Sequence, residues 1–159
     1  SDLGERIDGE QAIWLEQSLS QRFGKVPFVF ACYHKPAYGT AKPPSGTKDS
    51  SKDPLAQKII KYWCPLFDKY NVTAVFENDH HTYKRTHPLR GNRIDRDRGV
   101  VYLGDGCWGV DTRDVPKPGE VWYLAKAESK RHLICVTIRN GKTDYVAYEA
   151  NGKVIDRHS

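Results

Sequence analysis

Val72-Thr73-Ala74-Val75-Phe76 runs straight into Glu77-Asn78-Asp79-His80-His81, an apolar run that stops at five consecutive polar residues. Apolar residues without alternation read as a strand covered on both faces. A polar cluster just past the carboxyl end of such a strand lies where open α/β sheets place their ligands. Upstream, Val26-Pro27-Phe28-Val29-Phe30-Ala31-Cys32-Tyr33 has the same character and ends as abruptly in His34-Lys35-Pro36. Between the two, Asp53-Pro54 opens a helix with a capping residue and an N1 proline. Leu55, Ile59, Tyr62 and Trp63 give that helix an inner face, and Pro65 restarts it before Leu66-Phe67-Asp68-Lys69-Tyr70. Two strands separated by a helix are most simply parallel neighbours joined by a crossover connection.

Outward from this unit, residues 8–23 carry Ala12, Leu15, Leu19 and Phe23 at helical spacing, with Asp8 and Gln11 as a capping box and Gly24 as the stop. Residues 36–53, rich in Pro, Gly, Ser, Thr and Lys, read as a long exposed loop. The second half changes character. Short runs at 83–89, 99–103, 131–139, 143–148 and 153–156, with hairpin turns at Asn140-Gly141 and Asn151-Gly152, predict antiparallel pairing. The expected fold is α/β, a mixed sheet with flanking helices plus antiparallel hairpins, in a single domain over 1–159.

Composition bounds the function. At 159 residues with 38% hydrophobic and 28% charged side chains, the chain can bury a core and is neither disordered nor fibrous. No apolar run reaches the ~20 residues of a bilayer span, so no membrane is expected as partner. The net charge of +5 favours anionic ligands, but the basic residues form no dense block, which speaks against nucleic acid. Cys32, Cys64, Cys107 and Cys135 form no CxxC pair and sit in apolar settings, which suggests buried thiols, with one disulfide as the alternative. The absence of methionine and the start at Ser1 read as a processed or excised piece, and the sequon Asn71-Val72-Thr73 suits an exported protein.

His34, beyond the first strand, and Asp79, His80 and His81, beyond the second, are the residues that could do chemistry. Imidazole and carboxylate together suit zinc, iron or manganese. In an extended segment Asp79 and His81 would point the same way and His80 the opposite way, so His34, Asp79 and His81 form a candidate metal site. The bland alternative is a set of hydrogen-bonded surface groups.

Around these residues the sequence resembles the calcineurin-like metallophosphoesterases, in particular their purple-acid-phosphatase-like branch. The resemblance runs in order through Gln11-Ala12-Ile13-Trp14-Leu15, residues 29–38, residues 63–72, residues 75–85 and Tyr102-Leu103-Gly104-Asp105-Gly106. It implies that a histidine at the place of His34 binds one metal of a two-metal centre. In that family a Gly-His-x-His segment precedes Tyr-x-Arg. Aligning on Tyr83-Lys84-Arg85 puts His81 on the second histidine, Asp79 on the first and Asn78 on the glycine. His34 and Asp79 would then serve one metal and His81 the other, two cations in all (Fe, Zn or Mn). Asp79 departs from the pattern and adds negative charge; alternatively His80 shifts into its place. Lys35, Lys42, Tyr38 and Arg85 are candidates to meet the substrate charge, each with an ordinary solvated side chain as the alternative. Trp108 either borders the pocket or packs.

The family's earlier Asp-x-His, Gly-Asp and Gly-Asn-His segments have no counterpart here, and Asp105 comes too late to be the bridging aspartate. The resemblance therefore implies the carboxyl-terminal half of an α/β/β/α sandwich, lacking its amino-terminal half as partner. It implies phosphate-ester hydrolysis by a metal-activated water in the completed enzyme, with the isolated chain inactive and located outside the cell or in a periplasm. The competing expectation is a non-catalytic binding or structural domain on a degenerate phosphoesterase scaffold.

Overall fold

A computed structural model describes residues 6–104 and 106–159; Asp105 lies outside the described residues. The strand–helix–strand unit forms as its residue types dictate. Strand β1 (Phe30–Cys32) pairs in parallel with β2 (Ala74–Glu77), registering Phe30 with Ala74 and Cys32 with Phe76. Helix α2 (Pro54–Tyr62) starts where Asp53 accepts the Leu55 and Ala56 amides, and α3 (Cys64–Lys69) follows its break. Helix α1 (Glu10–Arg22) buries Leu19, with Ala12 and Leu15 partly covered beside it. Two expectations for α1 fail: Gly9 caps it without any side-chain bond, and Phe23 stays exposed, edge-on to Tyr70.

The remaining strands are β3 (Tyr83–Thr86), the two-residue ribbon β4 (Leu89–Arg90) and β5 (Arg93–Ile94), β6 (Val101–Gly104), β7 (Leu124–Glu128), β8 (His132–Arg139), β9 (Lys142–Glu149) and β10 (Val154–His158). They form a five-stranded mixed sheet of order β1-β2-β6-β3-β7 and a three-stranded antiparallel sheet of order β10-β9-β8. The expectation of a wholly antiparallel second half is corrected by β6, which pairs in parallel with β2 and only then antiparallel with β3. Its residues Val101, Tyr102 and Leu103 are buried on both faces, which parallel strands require.

Alternation along β2 and β6 assigns the layers. Ala74, Val101 and Leu103 face the three-stranded sheet and meet Tyr145, with Ile134, Val136 and Phe76 packed alongside. Val75 and Tyr102 face the helices and meet Ile59, Trp63, Phe67 and Leu19. The order is thus helices, mixed sheet, antiparallel sheet. Among the described residues no helix is long and apolar enough to cross a membrane. The thiols divide, Cys64 and Cys107 buried, Cys32 and Cys135 exposed, and all four are free, so neither uniform burial nor a disulfide holds. Strand β1 is not covered on both faces either. It is an edge strand with Phe30 and Cys32 exposed.

The loop between β1 and α2 is the largest departure from expectation. Ala37, Tyr38, Thr40 and Ala41 are buried, not exposed. A buried loop needs partners for its peptide groups, and side chains provide them. Glu77 accepts the Ala37 amide at 2.7 Å and the Tyr38 amide at 3.4 Å. His80 Nδ1 accepts the Thr40 and Ala41 amides, both at 3.0 Å. Lys84 donates to the Tyr38 carbonyl, Tyr123 to that of Gly39 and Ser50 to that of Ala41. Gly39 is required, because a Cβ there would lie 2.2 Å from the His80 ring.

Glu77 and Lys84 are both fully buried and form an ion pair, with Glu77 also accepting from the Tyr33 hydroxyl at 2.6 Å. Removing one partner strands the other charge in a low dielectric, at about 3–5 kcal/mol. Lys84→Met is therefore expected to lower unfolding stability by about that amount in urea titration. A loss below about 1 kcal/mol would show that the pair does not hold the loop.

Candidate functional site

The carboxyl ends of β1 and β2 bring His34 and Asp79 together as their places in the parallel sheet require. His34 Nε2 lies 3.6 Å from Asp79 Oδ1. The rest of the expected metal set does not form. Asp79 and His81 both take left-handed backbone conformations, φ 74° and 60°, so the segment turns and the strand-like alternation that aligned their side chains is lost. His80 is the residue turned inward, against the loop. Among the described residues no three His, Cys, Asp or Glu side chains are grouped as a metal site needs.

Ammonium groups surround Asp79 instead. Lys35 Nζ is 3.0 Å from Oδ2, and Lys42 Nζ is 3.0 Å from Oδ2 and 3.1 Å from Oδ1. The Arg113 guanidinium donates to the Asp79 backbone carbonyl at 2.7 Å. Burial alone would raise the Asp79 carboxyl, but Lys42 and then Lys35 overcome it and hold it at about 2. A divalent cation at this carboxylate would have to displace two ammonium groups already neutralising it. The donor set therefore does not fit the two-metal centre in this arrangement.

The other candidates resolve case by case. Lys35 stands at the site, as does Lys42. Tyr38 is 1% exposed and packs edge-on against Tyr102 and Tyr123, with its hydroxyl on Asn92, so it presents no face to a substrate. Arg85 is engaged elsewhere. Its Nε lies 2.7 Å from Asp156 Oδ2, which also accepts the Tyr83 hydroxyl at 2.8 Å, tying β3 to β10 across the two sheets. Trp108 is exposed and borders a cleft of about 360 Å³ with Cys32, Phe76, Asn78 and Leu133. Lys42, Glu77, His80 and Lys84 form the frame that the sequence reading underrated. The available signal was weak: Glu77 ends an apolar run and Lys84 follows it by seven positions, but each stands among other polar residues.

Comparison with known proteins places the fold. No family model matches the chain. The uncharacterized protein Rv2577 of Mycobacterium tuberculosis is 33% identical over 120 aligned positions, covering 64% of this chain and 21% of that protein. The probable inactive purple acid phosphatase 9 of Arabidopsis thaliana is 28% identical over 173 aligned positions, covering 92% of this chain and 26% of that protein. The chain thus spans only about a fifth to a quarter of the length of these relatives. Among solved structures, the purple acid phosphatase PPD1 from yellow lupin (Lupinus luteus) seeds superposes with a TM-score of 0.76 at 18% identity, covering 93% of this chain and 27% of that one. GAP50, the anchor in the inner membrane complex of Plasmodium, superposes at 0.72 and 13% identity, covering 100% and 45%. The chain has a purple-acid-phosphatase-like fold, a mixed α/β sheet with few helices and antiparallel hairpins. Identities this low say nothing further of activity.

His80 makes this corner sensitive to acid. Burial, and next the positive field of Lys84, push its imidazole down to about 3. Between the ordinary histidine value near 6.5 and about 3, the unfolded chain binds a proton that the folded chain excludes. Stability is then expected to fall as the pH is lowered through that window, by up to about 1.4 kcal/mol per unit from this group. His80→Gln, whose carbonyl oxygen can still accept the loop amides, should flatten the slope of urea midpoints measured between about pH 4.5 and 7.5. An unchanged slope would count against a neutral buried imidazole.

Proposed function

We propose that this chain is a non-catalytic binding segment on a phosphoesterase-like scaffold, in which lysine ammonium groups stand where the family resemblance would place a metal. The observation that carries this reading is the pairing of Asp79 with both Lys35 and Lys42 at 3.0–3.1 Å. Asp79 is also the position that departs from the family's histidine. A carboxylate attracts ammonium groups strongly, whereas a neutral imidazole would leave them repelling one another and a cation free to enter. The likeness to a plant protein named as inactive agrees with this.

A further strand-bearing segment completes the scaffold in the same reading. Among the described residues strand β1 pairs on one side only, and its open edge borders an apolar groove of about 590 Å³ with Trp14, Leu15, Val29, Phe30 and Trp63 among its lining residues. Trp14 is 66% exposed. An unpaired strand edge flanked by exposed aromatics is a template for another strand. The relatives are several times longer than this chain, and the amino-terminal half of a phosphoesterase domain is the segment of matching chemistry. Export to the cell exterior or a periplasm belongs to the same proposal and is supported by the resemblance.

The second reading, a share of a two-metal phosphatase or phosphodiesterase centre acting on phosphate esters, is favoured by the approach of His34 to Asp79 at the sheet's carboxyl end. In that reading the lysines must swing away when Fe, Zn or Mn binds. Metal content decides between them. The chain exchanged against Fe, Zn and Mn and then desalted is expected to retain less than about 0.1 metal ion by mass spectrometry and to leave an aryl phosphate uncleaved. Stoichiometric metal with metal-dependent turnover would replace the first reading by the second.

A further inference from the structure

The corner built around Asp79 has a cavity of its own. A pocket of about 210 Å³ is lined by Lys35, Lys42, Ser50, Asp79 and His80, with the first turn of α2 as its far wall. The α2 amides are not its recognition element, because the Asp53 carboxylate already accepts those of Leu55 and Ala56. The nitrogen-bearing side chains are. Lys35, Lys42, His34 and His80 all face the Asp79 carboxylate, at 3.0 Å, 3.0 Å, 3.6 Å and 3.9 Å respectively. His80 uses Nδ1 to accept two backbone amides, so its proton sits on Nε2, the nitrogen turned toward Asp79. The lining carries two positive charges, Lys35 and Lys42, against two negative ones, Asp79 and Asp53, and Arg113, which donates to the Asp79 carbonyl from outside the lining, adds a positive charge nearby.

The backbone supplies an independent sign. Among the described residues six non-glycine positions have positive φ, and three of them, Asn71, Asn92 and Asn140, are asparagines, the residue that tolerates it best. The other three are Lys42, Asp79 and His81; aspartate and histidine are enriched at positive φ as asparagine is, so Lys42, which lines the pocket, is the unusual one. A left-handed conformation at such a residue is costly and persists where the surrounding structure over-determines it, as at ligand sites. Lys42 is held there with its ammonium on both oxygens of Asp79.

We infer that this pocket is a metal-independent binding site for a small multivalent oxyanion of the phosphate type, recognised by the ammonium groups of Lys35 and Lys42 and the Nε2–H of His80. The Asp79 carboxylate is the internal counter-ion of the two ammonium groups, and an incoming oxyanion competes with it for them. Lys42 lines the pocket and places its ammonium on both oxygens of Asp79. The inference rests on the non-catalytic reading above, since a cation at Asp79 would replace the ammonium groups as the source of charge.

The test is calorimetric titration of inorganic phosphate into the intact chain in EDTA at low ionic strength, with sulfate and chloride as parallel probes. Phosphate and sulfate are expected to bind, and chloride at equal ionic strength is not. Lys35→Ala and Lys42→Ala should each weaken phosphate binding by about tenfold, as loss of a charge-assisted hydrogen bond does. Asp79→Asn, which suits a positive φ, should tighten it several-fold by removing the internal counter-charge. Thermal melts of each variant confirm folding, and a variant that does not fold is replaced by Lys→Gln at the same position. Phosphate binding that ignores both lysines, or that Asp79→Asn weakens, overturns the site. If the chain takes up no metal and binds no phosphate, this inference alone falls. If phosphate binds only with stoichiometric metal, the non-catalytic reading falls with it.

Discussion

Glu77 and Lys84 face each other with no solvent on either, and the working end of the molecule is built around that pair. Two charges removed from water are tolerated only when their remaining donors and acceptors are satisfied. Tyr33, Ala37 and Tyr38 supply those partners, and each contact also pins the chain leaving β1. A segment that composition marks as loop is thereby drawn into the interior across the end of the sheet. His80 adds two amide contacts and Gly39 gives the ring room. The ion pair is thus the floor on which Lys35, Lys42 and Asp79 are arranged.

On that floor, charge is arranged differently from what the family resemblance implies. A two-metal centre requires several anionic or neutral donors facing one point, whereas here the facing groups are two cations and one anion. The exchange needs few residues, because a carboxylate on the turn after β2 suffices to collect both lysines. A scaffold can keep its layers and strand order while its electrostatics invert, which is one reason fold and chemistry separate so readily. The same fold appears, at 18% and 13% identity, in a phosphatase and in a membrane-complex anchor.

The layers also show where the scaffold is open. The helices cover one face of the mixed sheet and the antiparallel hairpins cover the other, joined through Ala74, Val101, Leu103 and Tyr145. Asp156 ties the last strand to Arg85 and Tyr83, which locks the two sheets on the β3 side. On the opposite side β1 ends the mixed sheet with Phe30 and Cys32 exposed, beside the apolar groove under α1. Polar clamps close one side, and exposed apolar surface lies on the other.

Local pattern determined a good deal by itself. The runs ending at Tyr33 and Phe76, the Asp53-Pro54 helix start and the Asn-Gly turns were legible because each is set by nearest neighbours, through propensity, capping and turn geometry. The meeting of His34 with Asp79 was legible too, since parallel strands carry their ends to one edge. The burial of residues 37–41, the parallel pairing of β6, the inward turn of His80 and the transfer of Arg85 to Asp156 were decided only in three dimensions. Each depends on partners distant in the chain, 27 positions for Ala74 with Val101 and 71 for Arg85 with Asp156, or on a backbone angle that no spacing records. Whether Asp79 meets a metal or two lysines is of the same kind, because electrostatic partners are chosen by distance in space, where desolvation and charge are settled together.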